Sequence, residues 1–160
     1  MSPHIRPLLA DDVDAVVRLS LRAWAPVFPF IEAAMGSEIY QLLTPDWRAS
    51  QRRDVEAVCA NEKTSVWVAE VEANVVGFVA VLLHEDEPLG EVYMLAVDPD
   101  YQGADIGTAL TAFALSWMKE VGMSVAMIDT GADPGHAAAR RTYEKAGCHR
   151  VEVARYLKKL

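Results

Sequence analysis

Apolar positions in this chain follow two periods, and the switches between them outline its elements. His4 to Pro7, bracketed by prolines, predicts a short edge strand. After Asp11 and Asp12, Val13, Val16, Val17, Leu21 and Trp24 return at helical spacing, and Pro26 and Pro29 break that helix. Val27 to Leu43 is irregular or short-helical, with Phe28, Phe30 and Tyr40 as exposed-looking aromatics. Pro45-Asp46 opens a further helix, on which Trp47, Gln51, Val55 and Val58 share a face, ending near Asn61.

The middle of the chain changes to strand character. Ser65 to Val71 is rich in β-branched and aromatic residues, and Ala73-Asn74 is a turn. Val75 to Leu83 is an unbroken apolar run, as expected for a strand covered on both faces. An acidic loop, His84 to Gly90, leads to a strand from Glu91 to Val97 that Asp98-Pro99 closes. Helical spacing returns at Ile106, Leu110, Phe113, Trp117 and Val121, with Gly122 as the stop. A strand from Ser124 to Thr130, a turn at Gly131 to Gly135, a helix from His136 to Ala146 and a strand from Val151 to Leu157 complete the order. The sum is an α+β, mixed α/β, layer arrangement.

Composition narrows the class. The 160 residues are 52% apolar, enough for one domain over residues 1–160 with a real core. No apolar run nears the ~18 residues of a membrane helix, and Met1 to Ala10 holds no leader-like apolar stretch. Cys59 and Cys148 show neither metal spacing nor a disulfide framework, so no metal is expected and a reducing cytoplasm is the expected setting. The net charge of −8 disfavours nucleic acid and suits either a cationic substrate or plain solubility.

The most informative segment is Glu91 to Leu110, "EVYMLAVDPDYQGADIGTAL". It predicts strand, turn, glycine-containing loop and helix, an arrangement that aims free backbone N–H groups at an anion. It lacks the Gly-Lys-Ser/Thr of a P-loop and the third glycine of a dinucleotide fingerprint. "LAVDPDYQGADIG" resembles the cofactor motif of the GNAT-type acyl-CoA N-acyltransferases, and "HAAARRTYEKAGC", residues 136–148, resembles that family's C-terminal helix. The order of elements matches over residues 4–157.

The resemblance implies a GNAT-like, mostly antiparallel sheet of six to seven strands, splayed in the middle and flanked by about four helices. It implies transfer of an acetyl group from acetyl-CoA to a primary amine by direct attack. Leu95, Ala96 and Val97 would pair with the pantetheine arm. The amides of Gly103, Ala104, Asp105, Ile106, Gly107 and Thr108 would hold the pyrophosphate, flanked by Gln102. Tyr143 would protonate the leaving thiolate, and His136 stands where the family usually has Asn.

An alkylammonium has no lone pair at neutral pH, so a base is required. Glu91 ranks first for that role and Asp129, on the next strand, second. Strand alternation would put Glu91, Tyr93, Leu95 and Val97 on one face. Trp24, Phe28, Phe30, His84 and Glu85 are candidates to bind a small cationic or polar amine, such as a polyamine, an aminoglycoside or an amino-acid derivative. Exposed apolar surface at Phe28 and Phe30 would also suit pairing of two copies.

One departure weighs on the cofactor motif. Asp105 replaces its central glycine, bringing a negative charge to a pyrophosphate site and a side chain suited to cap the helix amides itself. That opens an alternative: a GNAT-like protein that binds a ligand or partner with weakened catalysis.

Overall fold

The computed structural model describes residues 2–160. Strand β1 (His4–Pro7) is followed by a 3-10 turn, Ala10–Asp12, and by α1 (Val13–Trp24). Helices α2 (Phe28–Met35), α3 (Ser37–Leu43) and α4 (Trp47–Ala60) lead to strands β2 (Thr64–Val71), β3 (Asn74–Leu83) and β4 (Leu89–Val97). Then come α5 (Ile106–Glu120), β5 (Val125–Ile128) and α6 (Ala137–Lys145). The sheet order is β1-β2-β3-β4-β5, antiparallel except for the parallel pair β4–β5.

Three layers result. Helices α1 and α4 cover one face of the sheet, burying Val16, Val17, Leu19, Val55 and Val58 against Val68, Phe78, Ala80 and Ala96. Helix α5 covers the other, burying Ile106, Leu110, Ala114 and Met118 against Val76, Val79, Val81, Val92 and Val97. The apolar run of β3 is therefore buried on both sides, from Val76 to Val81. Each such side chain contributes about 1.5–3 kcal/mol on leaving water. Gly77 lets α5 sit this close: a Cβ there would stand 3.1 Å from both the Ala96 carbonyl and Leu110 Cδ1.

Polar contacts join the layers at chosen points. Gln51 Nε2 donates to Ser20 Oγ at 2.9 Å, tying α4 to α1 inside the core. Arg6 donates to both oxygens of Asp12, at 2.7 and 3.1 Å, and to Glu70 at 2.9 Å, fastening the chain start to β2. The Arg6 guanidinium holds the Asp12 carboxyl below the usual carboxylate range, against the opposing effect of burial.

The α+β class and the mostly antiparallel sheet stand as expected, with differences in count. The expected strand at Val151–Leu157 does not form: residues 149–160 lie exposed and outside the sheet, because the segment has strand composition but no neighbouring edge beside it. Among the described residues the sheet therefore has five strands rather than six to seven. The irregular stretch Val27–Leu43 folds into two helices parted at Gly36, so among the described residues six α-helices occur where about four were expected. Tyr40 is buried, not exposed. Among the described residues no helix is long and apolar enough to cross a membrane.

Candidate functional site

The site begins where β4 and β5 part. Their pairing runs from Leu89 with Val125 to Val92 with Ile128 and stops there. On its other side β4 stays paired with β3 as far as Val97 with Gly77. The far edge of Tyr93 to Val97 thus has no strand partner among the described residues, a row of backbone groups open to a ligand.

A bulge sits at the parting point. Val81 pairs with Val92 and Ala80 with Met94, so Tyr93 is the extra residue. The bulge shifts the alternation by one. Leu95 and Val97 face α5, whereas Glu91 falls on the opposite face with Met94 and Ala96, toward α1. The expected common face of Glu91, Tyr93, Leu95 and Val97 is therefore corrected: one extra residue in a strand reverses every side chain beyond it.

Beyond Val97 the chain turns through a 3-10 turn, Pro99–Tyr101, into the glycine-containing loop. Arg22 of α1 clamps this turn, donating to both Asp98 oxygens at 2.8 and 2.7 Å and to Asp100 at 2.9 Å. Gln102 Nε2 donates to the Val97 carbonyl at 3.2 Å, anchoring the loop to the end of β4. Gly103 has φ +81° and Asp105 φ +59°. Asp is among the few non-glycine residues that tolerate the left-handed region, so it can hold the backbone that the family's glycine would hold.

Asp105 takes the N-cap position of α5 without a side-chain hydrogen bond, and it is exposed. The expected competition of its carboxylate for the α5 amides does not occur: in the left-handed conformation the side chain makes no capping bond. The first amides of the 15-residue helix, Ile106, Gly107 and Thr108, have no partner within the helix. A Cβ on Gly107 would meet nothing closer than Val97 Cγ2 at 3.7 Å, so the protein's own packing does not require glycine there. Its bareness leaves approach to the helix end open. An anion at this end gains from the helix dipole by roughly 0.3–1 kcal/mol.

Two histidine–carboxylate pairs flank this region. His84 Nε2 lies 2.9 Å from Glu91 Oε2, with the Glu91 side chain 16% exposed. The second pair sits on the loop between β5 and α6. His136 Nδ1 lies 2.6 Å from Asp133 Oδ2, and Asp133 Oδ1 accepts the Gly135 N–H at 2.9 Å. Burial opposes ionisation of Asp133, yet the His136 and Gly135 hydrogen bonds hold its carboxyl below the usual range. An ionised carboxylate only accepts, so His136 Nδ1 donates in this contact. Arg140 donates to the carbonyls of Gly131 at 2.5 Å and Asp133 at 2.7 Å, fixing the loop.

Aromatic side chains from the first helices meet the second pair. Trp24 stands edge-on to the His136 ring at 6.0 Å. A Cβ on Gly135 would stand 2.9 Å from Phe30 Cδ2 and 3.3 Å from Val27 Cα, so the α1–α2 corner closes directly on this loop. Tyr143, on α6, is half-buried; burial and then the neighbouring Cys148 push its phenol up, so it stays protonated through neutral pH.

The structure thus brings together three groups of expected residues: Val97, Gln102 and the α5 N-terminus; His84 with Glu91; and Trp24 and Phe30 with His136. It does not gather all of them. Phe28 stacks on Trp47 at 4.4 Å instead, because α4 offers it an aromatic face. Glu85 pairs with Lys63 at 3.6 Å in an exposed loop. Asp129 lies exposed just past the end of β5, which stops at Ile128. Asp133 and Arg140 were not singled out from the sequence. The signal was local: Asp two residues before a glycine in Asp-Pro-Gly-His accepts that glycine's N–H. A cavity of about 380 Å³, lined by Leu8, Leu9, Val13 and Cys59 among others, lies between the start of the chain and α4, away from this region. Among the described residues no group of three or more His, Cys, Asp or Glu is arranged to hold a metal ion.

Comparison with known proteins matches this geometry to one family. The model of the acetyltransferase (GNAT) family matches residues 36–148. A mycothiol acetyltransferase of Amycolatopsis mediterranei is 33% identical over 152 residues, covering 89% of this chain and 44% of that protein. A second, of Sanguibacter keddieii, is 40% identical over 94 residues, covering 56% of this chain and 29% of that one. The chain spans less than half the length of these curated relatives. In fold it is similar to the aminoglycoside 6'-N-acetyltransferase of Acinetobacter haemolyticus, with a TM-score of 0.70, 15% identity and 98% of both chains covered. The ribosomal-protein-S18-alanine N-acetyltransferase of Escherichia coli gives 0.66, at 21% identity over 91% of this chain and 76% of that one.

Proposed function

The chain belongs to the acetyltransferase (GNAT) family, and from that premise we propose that it is an N-acetyltransferase domain that moves an acetyl group from acetyl-CoA to a small amine. The observation that carries the proposal is the unpaired edge of β4, freed beyond Val92 and ending at the open N-terminus of α5. The edge suits the amide-bearing arm of acetyl-CoA, and the helix end suits its pyrophosphate. Acetyl-CoA supplies the thioester that the amine attacks.

The chain's own groups would do the rest. Leu95, Ala96 and Val97 present the open edge, and Gln102 to Thr108 present the anion-binding turn. Glu91, held by His84, would take the ammonium proton, and His84 would pass it to solvent. Tyr143, kept protonated by burial, would donate its proton to the departing thiolate. Asp129, exposed past β5, is the second candidate base. His136, oriented by Asp133, would line the acceptor side with Trp24 and Phe30. Aromatic faces beside carboxylates favour a cationic amine. The relatives' names fit that class: mycothiol for one group, aminoglycosides for the other.

The alternative, binding with weakened catalysis, rests on Asp105 and on His136 at the place of the family's Asn; the absence of a bond from the Asp105 carboxylate to α5 supports the catalytic reading. Calorimetric titration with acetyl-CoA, followed by thiol release over a panel of polyamines, aminoglycosides and amino-acid derivatives, tests the proposal. Binding with release for one amine class is expected. Absence of acetyl-CoA binding refutes it; binding without release for any amine favours the alternative.

A further inference from the structure

The turn that leads into α5 carries an unfavourable charge for an anion site. The segment from Asp98 to Thr108 holds Asp98, Asp100 and Asp105 and no lysine or arginine. The chain has neither residue type anywhere between Lys63 and Lys119, and Lys119 stands in the last turn of α5, at its far end. A pyrophosphate approaching the first amides of α5 therefore meets three carboxylates and no cation from the local sequence.

The fold brings a cation in from elsewhere. Arg22, in the last turn of α1 and 76 residues from Asp98 in sequence, places its guanidinium on both Asp98 oxygens and on Asp100. Asp98 Oδ1 also accepts the Asp100 N–H at 2.9 Å, so one carboxylate serves the guanidinium and the turn backbone together. Among the described residues no other Lys or Arg pairs with Asp98 or Asp100. The ion pairs are not what holds α1 in place. That helix is secured by buried Val16, Val17 and Leu19 and by the Gln51–Ser20 hydrogen bond. The Arg22 side chain is 49% exposed, and ion pairs so open to water add little stability. Their field reaches further than their contacts, to about 8 Å at physiological ionic strength.

We propose that Arg22 is a positioning residue for acetyl-CoA. Without touching the cofactor, it neutralises Asp98 and Asp100 and so makes the turn before α5 acceptable to a pyrophosphate. The inference rests on the transferase reading above and adds to it a side chain from α1. Asp105, which makes no bond, is the one carboxylate of the three left uncompensated.

Calorimetric titration with acetyl-CoA at low and high salt tests the inference, with circular dichroism to check each fold. Arg22→Gln is expected to bind about threefold more weakly than wild type at low salt, of the order of one unit charge in a water-like medium. The gap should close by 1 M salt, where the screening length is about 3 Å. Arg22→Lys keeps a cation on a flexible stem and should stay within about twofold of wild type. Arg22→Gln combined with Asp98→Asn and Asp100→Asn loses the clamp but also both carboxylates, while an amide oxygen can still accept the Asp100 N–H. This triple variant should bind at least as tightly as wild type. The rescue separates charge from structure, because a clamp that merely held the turn would stay lost. Wild-type protein that fails to bind acetyl-CoA overturns the transferase reading and the inference with it. Wild-type binding that Arg22→Gln leaves unchanged, or a loss that the triple variant does not restore, overturns the inference alone.

Discussion

Replacing Asp105 isolates the effect of one charge on anion binding at α5. Its backbone occupies φ +59° and its carboxylate is exposed and unbonded. Asn tolerates the same left-handed region, so Asp105→Asn removes the charge and leaves the backbone unchanged. Glycine removes the charge and the left-handed cost together. A unit charge about 4 Å from a phosphate, in a water-like medium, costs about 1 kcal/mol. That corresponds to roughly fivefold in affinity. Both variants should therefore bind acetyl-CoA about fivefold more tightly than wild type by calorimetry at low salt. The gain should shrink by 1 M salt, where the screening length is about 3 Å. Asp105→Ala removes the charge too but strains the backbone, so it should gain affinity while losing about 1 kcal/mol of stability. The reasoning fails if Asp105→Asn binds like wild type at low salt, because that variant differs in charge alone.

Three further outcomes follow from the geometry. Glu91→Gln should lower kcat about 10²- to 10⁴-fold, with partial recovery as pH rises toward the amine's own pKa; a flat deficit from pH 7 to 10 would remove Glu91 from the base role. Tyr143→Phe should lower kcat by about 10² with KM little changed, and an unchanged kcat would show that another group protonates the thiolate. Asp12 has a depressed carboxyl in the fold, so its contribution is complete above the ordinary carboxylate range and is lost as pH falls through the depressed value. In urea unfolding Asp12→Asn should be about 1.5–3 kcal/mol less stable at pH 7, the range for hydrogen bonds to charged groups, and should converge on wild type in acid. Parallel stability curves across pH would refute it.

Much of the fold was legible because burial writes periodicity. The unbroken run of β3, the amphipathic face of α1 and the glycine-containing loop before α5 each predicted their structure from local pattern. The bulge at Tyr93 was not legible, since it is set by pairing with β3 and carries no mark in "EVYML". It separated Glu91 from the face of Leu95 and Val97, whereas the contact of Glu91 with His84 follows from the regular register of the hairpin before the bulge. Phe28 and Tyr40 followed tertiary partners rather than local pattern. Asp133 lay three residues from a residue already singled out, but its role depends on a turn that bends its carboxylate back onto His136. The segment Val151–Leu157 has the composition of a strand but no partner in its own chain.

The four tryptophans are divided two and two between the layers on either side of the sheet. Trp67 of β2 meets Trp117 of α5 with ring centroids 4.7 Å apart, and Phe113 of α5 lies alongside. Trp24 and Trp47 belong to the opposite layer, where Trp24 abuts the His136 ring. The molecule thus carries its own fluorescent gauge: Trp67 and Trp117 report on how α5 packs against the sheet, and Trp24 on the loop that faces it.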